Sequence, residues 1–243
     1  NVACLANNHI MDYGVNGLAS TVKACKNNNI ETVGAGYNVN EASKLLFINN
    51  RDNTIAICNY SDKDFSSATK NGAGTNPFDL VNICNDIVAA KKRTPIVIVI
   101  LHVGNMGYNL PTPDLAKQLR FIATYSPSAI ICHHSHMISG YEIYANKVPI
   151  FYSLGNFFFP KKDKTNKNWF IGLMIKLSIN SDGKLHSYNL IPFEQNYHKD
   201  GIKLLSDREF QAFEKRINCL SEIINDTNQL QSHFDNYVDK VGK

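Results

Sequence analysis

The sequence predicts an α/β protein whose first half is a parallel sheet with crossover helices and whose second half is antiparallel. Three observations carry this. From Val2 to Cys132, short apolar runs alternate with amphipathic helical patterns, the order that builds strand–helix–strand units. The run Ile96–Leu101 is apolar without a break, as a strand buried on both faces of a parallel sheet requires. After His136, strand-like segments follow one another directly, separated by Asn- and Gly-containing turns, the pattern of antiparallel neighbours.

Taken in order, Val2–Ala6 reads as the end of a strand. A helix follows with Val15, Leu18, Val22 and Cys25 on one stripe. Glu31–Val33 is a short strand closed by Gly34-Ala35-Gly36, which lacks the longer nucleotide-binding fingerprint and is a turn. Leu45–Ile48 and Thr54–Cys58 flank a turn at Asn49 to Asn53 and form a hairpin. Ser61 to Pro77 is polar and glycine-bearing, a long loop of the kind that often carries function. Leu80, Ile83, Cys84, Ile87 and Val88 mark the next helix, and Leu115, Leu119, Ile122 and Ala123 the inward face of a helix over Thr112–Ser126. Tyr141–Tyr144, Val148–Leu154, Trp169–Ile179 and Leu185–Ile191 are the later strands. Asp207 to Val241 is helical, with Phe210, Phe213, Ile217, Leu220 and Ile224 on one face. One domain over residues 1–243, with a helical tail from about 205, is the expected organisation.

Composition narrows the function. Apolar residues make up 44% of 243, enough for a substantial core. The net charge of +4 is mild, and Lys91-Lys92-Arg93 and Lys161-Lys162 are too short to form a nucleic-acid stripe. The longest aliphatic run, Ile96–Leu101, cannot span a bilayer. Cys4, Cys25, Cys58, Cys84, Cys132 and Cys219 are scattered without a C-x-x-C pair, so reduced core thiols are expected. The chain opens on Asn1 inside an apparent strand, and an N-terminal portion is expected to be missing. The expected compartment is the cytoplasm or the cell-membrane surface.

The chemistry concentrates at strand ends. The apolar run Ala129–Cys132 delivers His133, His134 and His136 at its C-terminal end, where open α/β sheets place their ligands. On a continuing strand His134 and His136 would share a face; in a tight loop they could converge on neighbouring ions. His102 ends the Ile96–Leu101 run, and Asn8-His9 follows the first strand. An Asn, several His and a carboxylate suit a two-metal phosphoesterase site, in which N and O ligands take Mn, Fe or Zn. His186, His198 and His233 are expected at the surface, and Trp169 and Phe157 to Phe159 in the core.

In order along the chain, Asn7-Asn8-His9-x-x-Asp12-Tyr13-Gly14, Gly34-Ala35-Gly36, Leu101-His102-x-Gly104, His133-His134-x-His136 and Tyr152-Ser153-Leu154-Gly155-Asn156-Phe157 resemble the motifs of the CapA family. These are bacterial capsule-synthesis and poly-γ-glutamate-synthesis proteins of the calcineurin-like metallophosphoesterase superfamily. The resemblance covers roughly Val2 to Phe159. It implies a four-layer α/β/β/α sandwich whose N-terminal strands are missing here, and two divalent ions. Asn8, His102 and His134 match ligands of one ion and His136 a ligand of the other. His9 matches the residue that contacts the phosphate or leaving group. Asp12 matches a motif position whose role is to orient His9 or bind substrate; its bland alternative is a turn or helix-cap carboxylate. His133 and Asn156 are expected behind the ligands or at the substrate. The implied partners are a capsular polymer or its phosphorylated precursor and a membrane synthesis complex.

The sequence departs from the family in three places. The usual Glu two residues after the Gly of the His102 motif is Met106, and the usual Pro between the last two histidines is Ser135. The aspartates that supply a terminal ligand and the bridging carboxylate would lie before Asn1. A non-catalytic scaffold of an export complex is therefore the alternative reading, with a zinc-binding interaction domain a distant third.

Overall fold

The computed structural model describes residues 1–50, 53–63, 66–159, 167–195 and 201–241. Lys161-Lys162, His198 and the tip of the predicted hairpin at 51–52 lie outside the described residues. The chain divides into two compact units, Asn1–Val103 with Thr124–Ile130 and Ile179–Lys184, and Gly104–Ala123 with Ile131–Ser178 and Leu185–Lys243.

The first unit begins with β1 (Val2–Cys4), helix α1 (Gly14–Asn27) and β2 (Glu31–Val33). β1 and β2 pair in parallel, Val2 opposite Glu31 and Cys4 opposite Val33. This is the strand–helix–strand unit predicted from the stripe on α1, although of that stripe only Leu18 is fully buried and Val15 is exposed. Next come β3 (Ala35–Gly36), a single helical turn α2 (Val39–Ala42), β4 (Leu46–Asn50), β5 (Asn53–Ser61) and β6 (Gly74–Thr75). β4 and β5 form the expected antiparallel hairpin. Part of the predicted long loop is ordered, because β6 pairs back on β3. Helix α3 (Leu80–Lys91) starts at Asp79, whose carboxylate accepts from the N–H groups of Val81 and Asn82 and satisfies donors the helix cannot. Its Ile83, Cys84, Ile87 and Ala90 are buried, and it packs on β5 and on β7 (Ile96–Val103). β5 and β7 run in parallel with Ile55 opposite Ile96 and Ser61 opposite His102. That register brings the histidine to the strand end.

Helix α4 (Pro113–Ala123) and β8 (Ala129–His134) follow. The predicted strand Ala129–Cys132 thus extends through the first two histidines. In the second unit β9 (Tyr141–Tyr144) and β10 (Val148–Phe151) are antiparallel. β11 (Ile171–Ile179), β12 (Leu185–Gln195) and β13 (Ile202–Leu204) form a separate three-stranded sheet. The tail is two helices, α5 (Asp207–Asn225) and α6 (Thr227–Val241). The break falls at Asp226, whose side chain accepts from the N–H groups of Asn228 and Gln229 and so starts a new helix.

The tail is docked in its unit. Phe213, Ile217, Leu220 and Ile224 are buried as their stripe predicts, while Phe210 at the helix start is partly exposed. Each buried side chain of this kind contributes about 1.5–3 kcal/mol. Phe213 and Ile217 pack with Ile138 and Leu173. A Cβ on Gly140 would stand 2.6 Å from Ser221 N, so only glycine lets α5 lie this close. The Ser221 hydroxyl accepts from Tyr141 N at 3.0 Å across the same contact. Arg120 of α4 makes a forked pair with Glu142 at 2.8 and 3.2 Å and donates to Ile224 O at 2.7 Å. Glu142 is buried and Arg120 a fifth exposed, and the bonds from Arg120 to Ile224 O and from the Tyr152 hydroxyl to Glu142 supply the further partners that a shielded charge pair needs.

Candidate metal centre

The first group of site residues is built in the first unit by the exit of β1. Ala6 N donates to Asn59 Oδ1 at 2.9 Å, and Asn59 Nδ2 donates to Ile100 O at 3.1 Å. A buried amide on β5 thus laces the end of β1 to β7 two residues before His102. Gly34 makes room for it: its φ is +95°, and a Cβ there would lie 2.2 Å from Asn59 Oδ1. Asn7 then turns the chain, its Oδ1 accepting from His9 N at 2.9 Å.

The result is a line of four polar side chains. Asp12 Oδ2 lies 2.8 Å from His9 Nδ1, His9 Nε2 lies 3.3 Å from Asn8 Nδ2, and Asn8 Oδ1 lies 2.9 Å from His102 Nε2. A carboxylate only accepts, so His9 carries its proton on Nδ1 and its Nε2 accepts from the Asn8 amide. That fixes the amide with its oxygen toward His102, whose Nε2–H it accepts. Asp12 does not cap α1, which starts after Tyr13 without a side-chain cap. Its place is to orient His9. His9 and Asp12 are solvent-exposed.

Asn8 and His102 fit a divalent ion. Two ligands bound at about 2.1 Å and at right angles stand about 3 Å apart, and the Oδ1 to Nε2 separation is 2.9 Å. The donors are the oxygen and nitrogen that Mn, Fe or Zn accept, and the amide oxygen already points the right way. Binding would require His102 to carry its proton on Nδ1 instead. Among the described residues, no three His, Cys, Asp or Glu side chains stand together as a complete set. Met106, at the motif's Glu position, is 65% exposed and offers no oxygen ligand.

The second group lies in the second unit, where β8 ends. His134 has φ +107° and His136 φ +62°. Non-glycine residues adopt this region at a cost of about 1–3 kcal/mol each, mostly where function demands it. The chain therefore leaves the strand in a tight loop, and the open choice between strand and loop resolves to the loop. The two imidazole centroids are 6.2 Å apart. Buried Ser135 holds the loop shut, its hydroxyl 3.0 Å from both Met137 O and Ser153 Oγ.

His136 is clamped on all sides. Its Nδ1–H donates to Asn156 Oδ1 at 2.7 Å, leaving Nε2 as the free-electron-pair nitrogen. Asn156 Nδ2 donates to Trp169 O at 3.0 Å and to His136 O at 3.3 Å. The Trp169 ring stacks on His136 at 4.9 Å, and Phe159 meets it edge-on at 5.0 Å. Asn156 is thus a support of His136. His133 is only half-buried as a residue, yet desolvation of its ring pushes its pKa down to about 4, so it is a neutral imidazole at physiological pH.

Sequence reasoning missed three of these residues. Trp169, expected in the core, is buried, but its ring is spent on His136. Gln195, at the end of β12, donates to Trp169 O at 3.0 Å and accepts from Phe159 N, holding both aromatics. Asn59 gives no signal of its own, because its strand also carries Asn53, Thr54 and Ser61. Phe157 and Phe158 do not join the core as expected; both are exposed beyond the Asn156 turn. His186 and His233 are exposed, as expected.

Comparison with known proteins identifies the family. Residues 1–161 match the family model "Bacterial capsule synthesis protein PGA_cap". The chain is 37% identical over 158 residues to the PGA biosynthesis protein CapA of Bacillus subtilis, covering 63% of this chain and 41% of that protein. It is 32% identical over 161 residues to the capsule biosynthesis protein CapA of Bacillus anthracis, covering 64% and 39%. The chain therefore spans about two fifths of the length of these relatives. The crystal structure of a 5'-nucleotidase precursor from Thermus thermophilus matches with a TM-score of 0.52 at 13% identity, over 93% of this chain and 43% of that one, a likeness of mixed α/β fold alone. The ordered motifs, their placement at strand ends and the match over 1–161 lead to one conclusion: this chain belongs to the bacterial capsule synthesis protein PGA_cap family.

Proposed function

We propose that the protein acts in the synthesis of a capsular polymer of the poly-γ-glutamate type, through a metal-dependent phosphoesterase-like site on a phosphorylated precursor. The observation that carries this is the Asn8–His102 pair at 2.9 Å, with its amide oxygen already aimed as a ligand. By resemblance His134 completes that ion's set and His136 serves a second. Two bound divalent ions, of Mn, Fe or Zn type, would supply charge neutralisation and an activated water. The chain's own residues do the rest. Asp12 holds His9 in the tautomer that leaves Nε2 as acceptor, and on protonation Nε2 donates to a phosphoryl or leaving-group oxygen. Asn156 and Trp169 fix the His136 ring. The polymer or its precursor and a membrane synthesis complex are the proposed partners.

A second reading rests on Met106. Replacing a carboxylate by an exposed thioether removes a polar group from the motif, which favours a non-catalytic subunit that keeps the fold as a scaffold. The full-length protein, assayed with an aryl phosphate and Mn, separates the two. Turnover that disappears in His9→Ala supports the hydrolase; absence of turnover with polymer production still dependent on the gene supports the scaffold.

A further inference from the structure

The second unit contains a pocket of about 590 Å3 that no motif of the family reaches. Its walls come from the turn and strand start at Asn168 to Ile171, from Glu194 on β12, and from α5. Phe170, Ile171 and Phe213 make one side apolar. The charged side is unusual. Arg216 donates through Nη1 to Asn168 Oδ1, which holds the guanidinium in place. Its Nη2 is shut from solvent and has no hydrogen-bond partner among the described residues. Glu194 and Glu209 line the same pocket, yet neither pairs with Arg216. Glu209 is occupied at the start of α5, where it accepts from Ser206 N at 2.8 Å and from the Ser206 hydroxyl at 2.6 Å.

A shielded guanidinium donor without a partner is unfavourable until an anion meets it. The anion is constrained by what else lines the pocket. Two carboxylates in the wall disfavour a phosphate dianion. Glu209 also faces Lys203 Nζ at 3.9 Å, so a monocarboxylate that also carries an ammonium group, itself neutral, leaves the remaining Arg216 and Glu194 charges in balance. The volume lies in the range of small-ligand sites and far exceeds that of a water or a lone ion.

We propose that this pocket binds a small amino carboxylate with an apolar side chain, its carboxylate on the Arg216 guanidinium, its ammonium on Glu194 and its side chain against Phe170 and Phe213. Both ends of the ligand make charge-assisted bonds, the carboxylate with Arg216 and the ammonium with Glu194, so the two residues select for a molecule that carries both charges. The site is independent of metal and of the phosphoesterase reading.

The test is calorimetric titration of the full-length protein with L-phenylalanine, 3-phenylpropionate, phenethylamine and inorganic phosphate. Phenylalanine is expected to bind. The two analogues, each lacking one charge, should bind about tenfold or more weakly, and phosphate should not compete. Arg216→Met should abolish binding, and Glu194→Gln should weaken it to the level of phenylpropionate. If Arg216→Met does not fold, Ala212→Leu, which fills the pocket from an exposed helix position and keeps Arg216, should abolish binding equally. The proposal is overturned if phenylalanine binds with a Kd weaker than about 10 mM. It is also overturned if phenethylamine binds as tightly, if phosphate displaces phenylalanine, or if the folded variants bind unchanged.

Discussion

Asn8 and His102 stand 94 residues apart in sequence, yet Asn8 Oδ1 lies 2.9 Å from His102 Nε2. Nothing local creates this contact. It follows from the buried amide of Asn59, which ties the exit of β1 to β7, and from the parallel register that ends β7 at the histidine. From Asn8 the hydrogen bonds continue through His9 to Asp12, so the proton positions of four side chains are set together.

Asp12→Asn should break that chain at its anchored end. An amide can present either a donor or an acceptor to His9 Nδ1, so the ring loses its fixed tautomer. Phosphoester turnover should fall on the order of 10- to 100-fold, while metal content stays unchanged. Steady-state kinetics alongside metal analysis reads both; a parallel loss of metal would make Asp12 part of the ligand set.

Gly34→Ala and Gly107→Ala are a matched pair. Both glycines have positive φ, +95° and +80°, but a Cβ at Gly107 meets open space whereas one at Gly34 meets Asn59 Oδ1 at 2.2 Å. Gly107→Ala should cost about 1 kcal/mol, the backbone term alone. Gly34→Ala should cost about 2–4 kcal/mol, because it also displaces a buried hydrogen-bonded amide. Urea denaturation of both variants decides it; equal losses would remove Asn59 from its proposed role.

Asn156→Ala should loosen His136 without dismantling the second unit. Divalent-ion affinity is expected to fall about 10- to 100-fold, as when other outer-shell partners of metal-binding histidines are removed. Retained circular dichroism with weakened Mn binding is the expected result, and unchanged binding would leave Asn156 a merely structural residue.

Asp86 supplies a pH signature in the first unit. Burial raises its carboxyl pKa above the ordinary value of 3.8, although the Tyr60 hydroxyl donates to it at 2.7 Å. A raised folded-state pKa means the folded protein holds the proton more tightly. This contribution is therefore full in acid below 3.8 and is lost as pH rises through the raised folded value. Asp86→Asn, which keeps an acceptor for Tyr60, should gain on the wild type as pH rises from about 4. Denaturation midpoints between pH 3 and 7, a range spanning the ordinary carboxylate values, measure the gain; a constant offset would contradict it.

The alternation of strand and helix in the first half, the parallel β5–β7 pair and the later antiparallel strands were legible because each is a periodicity of apolar residues. The stripe on α5 was legible for the same reason, apart from Phe210 at the helix start, which is partly exposed. The break at Asp226 was not, because a single capping carboxylate interrupts the tail without disturbing the stripe. In the site, the histidines were visible as a cluster at strand ends. Their supports were not, because Asn59, Trp169 and Gln195 act by tertiary contacts that no spacing encodes. Trp169 and Gln195 also lie beyond the stretch that resembles the family.

The most direct test of the account is the metal content of the full-length protein and of its Asn8→Ala and His102→Ala variants, measured by inductively coupled plasma mass spectrometry after purification with Mn. The account predicts that the wild type holds Mn, Fe or Zn, that each variant loses an ion, and that circular dichroism is unchanged. A wild-type protein that takes up no divalent ion, or variants that keep the full complement, would contradict it.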